Sequence, residues 1–292
     1  MRRIAHISDL HFRQVDPAVV EGLLAELNHD RPDLVIASGD FTMRARTREY
    51  EEARAFLARI TAPVLAVPGN HDISPYRLWQ RFFTPFRRYR RYIAPETEPV
   101  FQDEEIAVIG LNTVRTWAPE RDWSQGKITR AQIRRTERVL AALPSHLFRI
   151  IVGHHPFIPP PWDAEARLVG RADEALAAFQ RHRVGLALAG HLHRGYSRFV
   201  TPTPSGATRA EIDRSEAQTT ATRLLAVQAG SATSTRLRGN EPNAYNRITV
   251  EGGLATVQVR LWTGSGWCDA AAAGSARCAS DEAAVTGPPT PP

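Results

Sequence analysis

Hydrophobic residues along the chain fall into short runs separated by stretches with helical spacing. The runs at residues 4–7, 34–37 and 64–67 each predict a short strand. Between them, residues 18–27 and 48–60 place apolar side chains about one helical turn apart, which predicts two helices. Three strands alternating with helices in so short a stretch indicate a layered α/β domain with largely parallel strands.

Further apolar runs continue this pattern through the rest of the chain. They lie at residues 106–111, 150–152, 184–189 and 224–227. Residues 248–261 predict a β-hairpin that turns at Gly252 and Gly253. No internal repeat is visible, so we assign residues 1–263 to a single folded domain.

Three segments depart from the core pattern. Residues 74–98 are rich in aromatic residues and arginine, and residues 201–222 are rich in Thr, Ser, Ala and Pro. The second of these segments predicts a mobile loop. From Gly264 onward the chain consists mainly of small residues and proline. We therefore predict that residues 264–292 form a low-complexity, disordered tail outside the fold.

Composition excludes several classes of protein. The chain has 292 residues, of which 42% are hydrophobic and 23% charged, with only two cysteines. A predominantly disordered chain and a disulfide-stapled scaffold are both excluded by these values. No apolar stretch approaches the roughly 18 residues of a membrane-spanning helix. Because the first residues turn polar too early for a signal peptide, we expect a soluble cytoplasmic protein.

The net charge of +6 is carried almost wholly by arginine, since Lys127 is the only lysine. Two explanations fit this composition. Either the genome uses arginine codons by preference, or the arginines serve an enzyme that binds phosphate groups. Guanidinium groups bind phosphate oxygens in a bidentate geometry that ammonium groups cannot match. The positive charge is scattered through the sequence, so we expect no stable nucleic-acid partner.

Five of the predicted strands end in residues of the types that bind metal ions. These ends read Asp9-Leu10-His11, Gly39-Asp40, Gly69-Asn70-His71-Asp72, Gly153-His154-His155-Pro156 and Gly190-His191-Leu192-His193. In open parallel sheets, ligands bind beyond the carboxyl ends of the strands, so these side chains are expected to converge. Two of the motifs place their ligands two residues apart, which in extended backbone aims both side chains to one side. Each glycine would allow a tight turn.

The number and type of these side chains predict two metal ions. Two aspartates, one asparagine and at least four histidines offer more ligands than one ion uses, and enough for two ions about 3.5–4 Å apart. The mixture of nitrogen and oxygen suits Mn²⁺, Fe²⁺ or Fe³⁺, Zn²⁺ or Co²⁺ better than Mg²⁺. Each motif alone is common by chance. Their occurrence in order at five strand ends makes the prediction specific.

The order of these motifs resembles the calcineurin-like metallophosphoesterase superfamily, over about residues 3–262. The Ser8-Asp9-Leu10-His11 opening, the Gly-Asn-His-Asp segment and the His-x-Pro motif are most similar to bacterial class III 3′,5′-cyclic-nucleotide phosphodiesterases. The resemblance implies a four-layer α/β/β/α sandwich in a single catalytic domain. It is also compatible with a homodimer.

The resemblance implies roles for individual residues. One ion would be bound by Asp9, His11, Asp40 and His193, and the other by Asp40, Asn70, His154 and His191. The Asp40 carboxylate would bridge the two ions, and His155 would have no ligand role. His71 would face the phosphate and the leaving oxygen as a catalytic residue. Relatives carry a second aspartate where this chain has Met43, so Asp72 or a backbone carbonyl is expected to orient His71 instead.

The expected reaction is hydrolysis of a small phosphodiester, with 3′,5′-cyclic AMP as the first candidate. A hydroxide shared by the two ions would attack phosphorus, and His71 would assist the leaving group. One alternative is a pyrophosphatase acting on a UDP-2,3-diacylglucosamine-type lipid, the only case in which we expect peripheral membrane contact. A nuclease of the same superfamily is a further alternative. The non-enzymatic alternative is a metal-free scaffold that binds a protein.

Substrate choice is expected to depend on three loops, at residues 74–98, 112–127 and 157–170. Tyr76 or Trp79 would stack on a base or pack against an acyl group. Arg77 or Arg81 would hold a phosphate near the metals. An amphipathic helix whose aromatic residues pack on the core explains the same residues without a substrate.

Overall fold

The computed structural model describes residues 1–117, 124–200, 223–238 and 241–270. Its strands form two six-stranded sheets. From edge to edge the first sheet contains β12 (Trp267–Asp269), β11 (Leu254–Trp262), β10 (Ala244–Glu251), β1 (Arg2–Ile7), β2 (Leu34–Ala37) and β3 (Val64–Ala66). The strands β1, β2 and β3 are parallel, whereas β10, β11 and β12 extend the sheet in antiparallel pairs.

The second sheet has the same mixture of strand directions. Its order is β4 (Val100–Gln102), β5 (Ile106–Gly110), β6 (Phe148–Val152), β7 (Val184–Ala189), β9 (Leu225–Gln228) and β8 (Tyr196–Phe199). The four central strands are parallel, and the edge strands β4 and β8 pair antiparallel. Parallel strands thus form one side of the first sheet and the centre of the second, and antiparallel strands form both edges only in the second.

Helices cover the outer faces of both sheets. On the first sheet lie α1 (Pro17–Asp30) and α2 (Thr47–Leu57), followed in the chain by the short helices α3 (Leu78–Phe83) and α4 (Arg87–Tyr92). On the second sheet lie α5 (Arg130–Ala142) and α6 (Ala172–Arg181). The Asp16 side chain caps α1 by accepting from the Ala18 amide, and Pro17 occupies the first helical position. These local signals fix where α1 begins.

Strand alternation explains why the domain has four layers. In β1 and β2, Ile4, Leu34 and Ile36 point between the sheets, whereas their neighbours point toward α1 and α2. The second sheet contributes seven buried side chains to the layer between the sheets: Ile106, Val108, Phe148, Ile150, Val152, Leu186 and Leu188. The predicted α/β/β/α sandwich is therefore confirmed, and so is the hairpin of β10 and β11.

The predicted end of the fold at residue 263 is wrong. Strand β12 pairs with β11 through Trp267 opposite Trp262, and the Trp267 ring lies 5.2 Å from that of Tyr245. Trp267 packs against the core of the first sheet, so burial of one indole extends the fold to Asp269. A composition rich in small residues conceals this strand. Residues 271–292 and the predicted mobile loop at 201–222 lie outside the described residues.

Across the described ranges, no helix combines the length and apolar character that crossing a bilayer requires.

Candidate metal centre

The predicted ligands lie in the loops that follow the carboxyl ends of strands in both sheets. Five of the seven have positive φ angles: Asp9 at 53°, His11 at 50°, Asp40 at 56°, His191 at 77° and His193 at 60°. Non-glycine residues rarely adopt this conformation, which costs of order 1–3 kcal/mol each. The prediction that the paired ligands converge through extended backbone is therefore wrong. They converge because the chain turns sharply at each ligand.

Glycines beside the ligands provide space as well as turns. Gly39 has a φ of 95°, and a Cβ there would lie 2.8 Å from Nδ1 of His154. Gly190 does not have a positive φ, but a Cβ there would lie 1.8 Å from the Ser8 hydroxyl and 2.7 Å from Oδ2 of Asp9. The sequence interpretation assigned both glycines to tight turns. At Gly190 glycine is required instead because two loops approach each other too closely for a side chain.

One group of donor atoms comes from Asp9, His11 and His193. Oδ1 of Asp9 lies 3.6 Å from Nε2 of His11 and 3.4 Å from Nε2 of His193. The two Nε2 atoms are 3.1 Å apart. All three side chains are buried, and their donor atoms fall within the range of one metal ion.

A second group of donors lies beside the first, with Asp40 between them. Oδ1 of Asn70 is 2.9 Å from Nδ1 of His191 and 3.1 Å from Nε2 of His154. Oδ2 of Asp40 lies 3.3 Å from Nε2 of His154 and 3.7 Å from Nε2 of His11. The structure thus brings together all seven side chains that the sequence singled out as ligands.

Backbone carbonyls determine which ring nitrogen of three histidines faces the centre. Nδ1 of His11, His154 and His193 each lies against a carbonyl oxygen. These acceptors belong to Thr42 at 3.3 Å, Ser38 at 2.7 Å and Arg236 at 2.9 Å, respectively. A carbonyl oxygen only accepts, so each Nδ1 donates and each Nε2 presents its lone pair to the centre in the neutral ring.

This arrangement fits metal cations. Oδ1 of Asp9 is buried and has no hydrogen-bond partner among the residues that the structure describes. It faces two Nε2 lone pairs at close range, and such an arrangement is repulsive unless a proton or a cation lies between the atoms. Nitrogen and carboxylate donors arranged in this way are typical of transition-metal sites.

The buried charges of the centre depend on one another. Burial disfavours the charged form of His154, but the Asp40 carboxylate outweighs burial and raises the pKa of His154 to about 9. Burial likewise opposes the charge of Asp40, yet the imidazoles, led by that of His154, hold the Asp40 pKa well below its usual value. Burial and the charge of His154 lower the pKa of His191 to about 3. His191 is therefore neutral near pH 7, whereas His154 must lose a proton to bind a cation.

A backbone carbonyl orients His71, as one of the two expectations proposed. Nδ1 of His71 lies 2.7 Å from the carbonyl oxygen of Met43, and its backbone N–H donates to Oδ1 of Asp40 at 2.8 Å. Asp72 is engaged elsewhere, because it accepts from the amides of Gly69 and Thr42. Burial, reinforced by the charge of Asp40, raises the pKa of Asp72 to about 7. The carboxylate expected in relatives is thus replaced at Met43 by a main-chain acceptor.

Sequence reasoning missed the role of His155. Its Nε2 donates to the Ser124 carbonyl at 2.7 Å, and the Thr113 hydroxyl donates to its Nδ1 at 2.7 Å. Both ring nitrogens are therefore occupied, although the ring lies 4.8 Å from that of His191. His155 connects the centre to the loop that carries Ser124. No local pattern could have predicted this contact, because 31 residues separate the two partners.

Residues 2–195 match the model of the calcineurin-like phosphoesterases. The chain belongs to that family. Its structure superimposes on a purple acid phosphatase from Lupinus luteus with a TM-score of 0.62 and 13% identity, covering 92% of this chain and 52% of that one. A dimetal phosphatase from Danio rerio gives a TM-score of 0.61 and 12% identity, covering 92% and 98%. These two likenesses concern the fold.

Curated relatives extend the comparison to sequence. The phosphoesterase is 28% identical over 210 residues to the 3′,5′-cyclic adenosine monophosphate phosphodiesterase CpdA of Escherichia coli K12, covering 66% of this chain and 70% of that protein. It is 38% identical over 80 residues to the glycerophosphodiester phosphodiesterase GpdQ of Enterobacter lignolyticus, covering 24% and 29%. The UDP-2,3-diacylglucosamine pyrophosphatase LpxG of Chlamydia muridarum is 35% identical over 77 residues, covering 25% and 23%.

The last two matches span less than a third of those relatives. Family and fold together identify a metal-dependent phosphoester hydrolase, which argues against the metal-free scaffold.

A cavity of about 270 Å³ opens beside the metal centre of this phosphoesterase. It is lined by Met43, Arg44, Asn70, His71, Ile73, Pro75, Tyr76, Arg81 and Ser124. Of the four predicted substrate residues, Tyr76 and Arg81 line this cavity, and Arg77 and Trp79 do not. The Arg81 guanidinium donates to the carbonyls of Thr116 and Arg115, and the Trp79 ring packs 4.0 Å from that of Phe83.

Proposed function

We propose that this phosphoesterase is a binuclear-metal-dependent phosphodiesterase that hydrolyses a small phosphodiester, with 3′,5′-cyclic AMP as the first candidate. The observation that carries the proposal is the pair of donor groups that meet at Asp40. A single ion would leave one of these groups of buried donors unused. In the proposed arrangement, Asp9, His11, Asp40 and His193 hold one ion, and Asp40, Asn70, His154 and His191 hold the other.

The donor set suits Mn²⁺, iron, Zn²⁺ or Co²⁺. When bound, two such cations would lower the pKa of a water molecule toward neutrality and neutralise charge on the phosphate oxygens. The protein holds the donor atoms in position before a cation binds. Three imidazoles are held in one tautomer by main-chain carbonyls, so that little reorganisation is required when cations bind.

His71 is the proposed catalytic residue. It lines the cavity, and its ring centroid lies 4.9 Å from that of His11, next to the first donor group. Because Nδ1 is engaged by the Met43 carbonyl, Nε2 is the atom that can pass a proton to the leaving oxygen. A general acid in this position contributes about 10²–10⁴-fold to the rate.

Two observations favour a small substrate. The cavity of about 270 Å³ lies near the lower end of the ~300–1,000 Å³ found for small-molecule sites. The relative named for cyclic AMP hydrolysis covers 66% of this chain, far more than the relative named for the lipid pyrophosphate. Tyr76, at the rim of the cavity, is positioned to stack on a base, and Arg81 lies on the same wall.

A second candidate is hydrolysis of a UDP-2,3-diacylglucosamine-type pyrophosphate. The 77-residue match to LpxG and the exposed aromatic residues between 76 and 83 favour it. The cytoplasmic location and the homodimer stay predictions under either candidate.

A substrate panel assayed with Mn²⁺ tests the proposal. It contains cyclic nucleotides, glycerophosphodiesters, a chromogenic phosphodiester and UDP-2,3-diacylglucosamine. We expect metal-dependent hydrolysis of cyclic AMP that is lost in Asn70→Ala and retained in Asn28→Ala, the same change on α1. Preference for the lipid substrate would select the second candidate. Metal-loaded protein that cleaves no diester or pyrophosphate in the panel would overturn both.

A further inference from the structure

The segment between Asp72 and Glu96 has an unusual composition. It contains six arginines and no acidic residue. Part of it is anchored, since Phe86 and Tyr89 are buried against the core under the first sheet. The remainder forms what we call the cap surface, made of Tyr76, Arg77, Leu78, Trp79, Phe83, Arg87, Arg90 and Arg91.

The cap surface exposes large apolar side chains. Tyr76 is 66% exposed, Leu78 50%, Trp79 76% and Phe83 63%. Single exposed apolar residues are ordinary on a protein surface, but a contiguous group of them marks an interaction site. The 4.0 Å separation between the Trp79 and Phe83 rings shows that these two side chains form one patch.

The segment that carries the aromatic patch also exposes Arg77, Arg87, Arg90 and Arg91. Burial and the charges of Arg77 and Arg87 lower the pKa of Arg88, so both of these arginines act electrostatically on the Arg88 guanidinium. Arg44 adds a further cation, 5.8 Å from the Tyr76 ring centroid. Within the described ranges, no carboxylate forms an ion pair with Arg77, Arg87, Arg90 or Arg91. The cap surface therefore combines exposed apolar side chains with positive charge that has no carboxylate partner among the described residues.

These properties identify the kind of partner. In a two-fold dimer the same surface faces itself, so the arginines of one copy would face arginines of the other with no carboxylate from the segment between them. An anionic lipid surface complements the patch instead, because tryptophan and phenylalanine enter the interfacial layer while arginines pair with anionic headgroups. We propose that the cap surface docks this phosphoesterase on membranes that contain anionic lipids.

The cap surface is continuous with the catalytic cavity. Tyr76 belongs to both, and His71 lines the same cavity. Docking would therefore hold the mouth of the cavity near the lipid headgroups, whichever phosphodiester is cleaved. This proposal departs from the expectation from the sequence, which limited membrane contact to a lipid substrate. The inference goes beyond the proposed function, and it is tested by binding in the absence of substrate.

Sedimentation of the full chain with vesicles tests the proposal. The vesicles contain phosphatidylcholine alone or equal parts of phosphatidylcholine and phosphatidylglycerol. We expect binding only to the anionic vesicles, and weaker binding as salt is added. Combined Arg87→Gln, Arg90→Gln and Arg91→Gln should weaken partitioning about a hundredfold, since each charge near the surface contributes about fivefold. Phe83→Ser should weaken it further.

Matched controls separate the cap surface from general charge. Combined Arg134→Gln, Arg138→Gln and Arg183→Gln removes the same charge elsewhere, and Leu254→Ser removes an apolar side chain that is 77% exposed at the turn of the hairpin. Both controls should bind nearly as well as the unchanged protein.

Three results would overturn the proposal: no binding to anionic vesicles, equal binding to neutral vesicles, or equal loss in cap and control variants. Light scattering that finds a dimer dissociated by Phe83→Ser, without vesicle binding, would assign the surface to a second copy and also overturn it.

Discussion

The metal centre and the cap surface lie next to each other, yet they are built in opposite ways. The seven donors and His71 sit in loops packed against both sheets, and Asp9 and His11 are fully buried. The cap surface exposes its aromatic side chains, and Trp79 and Phe83 pack mainly on each other. Backbone atoms hydrogen-bond to the side chains of five of the seven predicted ligands. Substitutions at the metal centre should therefore abolish hydrolysis, whereas substitutions at the cavity rim should alter the choice of substrate.

The strongest test of this contrast is Asp40→Ala. Asp40 lies between the two donor groups and accepts from the His71 amide, so its loss would remove the ligand that we propose is shared by both ions. We expect activity to fall to background and the metal content to fall below two ions per chain, measured by atomic spectroscopy. The control is Asp33→Ala, an exposed aspartate bonded to the Arg3 amide. Two retained ions with full activity would show that Asp40 is not shared.

The next largest effect is expected for His71→Gln. The change removes the proposed proton donor but none of the seven metal donors. The rate constant kcat should fall about 10²–10⁴-fold, while both ions remain bound. His146→Gln, an exposed histidine far along the chain, serves as the control. An unchanged kcat would assign proton transfer to another group, and loss of metal would make His71 a structural residue.

An effect of intermediate size is expected when metal affinity is measured at different pH values. A cation must displace the proton of His154, whose pKa is about 9 in the metal-free protein, so affinity should rise up to about tenfold per pH unit below that value. The stability of the metal-free protein should depend on pH in the opposite sense. The pKa of His154 is higher in the folded protein than its value of about 6.5 in the unfolded chain, so protonation of His154 stabilises the fold fully below pH 6.5. This stabilisation is lost as the pH rises through about 9.

Calorimetric titration with Mn²⁺ across this range, alongside thermal unfolding of the metal-free protein, measures both trends. Affinity that does not change with pH would mean that His154 is already neutral.

The smallest effects are expected at the rim. Tyr76 lines the cavity and Trp79 does not, so Tyr76→Ala should raise KM for a cyclic nucleotide about fivefold, the lower end of the range for stacking on a base. Trp79→Ala and Arg77→Ala should raise KM less, and none of the three should alter kcat strongly. Steady-state kinetics on the same nucleotide provide the comparison. A larger effect of Arg77→Ala would place the phosphate on the other side of the rim.

Sequence patterns alone predicted the α/β class, most strands and the seven side chains that the fold brings together. Strand periodicity and donor residue types are local properties, and each motif directly follows its strand. Asp9-Leu10-His11 and Gly190-His191-Leu192-His193 could therefore be identified without knowing how they meet.

The way in which these side chains are held depends on long-range packing. His11 and His193 are 182 residues apart in the chain, and their 3.1 Å separation depends on the packing of two sheets. The left-handed turns at the ligands, the Met43 carbonyl behind His71 and the contact between His155 and Ser124 have no local signature. Main-chain acceptors are present at every residue, so a sequence cannot indicate which carbonyl will lie against which imidazole. The packing of Trp267 against the core, which extends the fold past residue 263, likewise depends on long-range contacts.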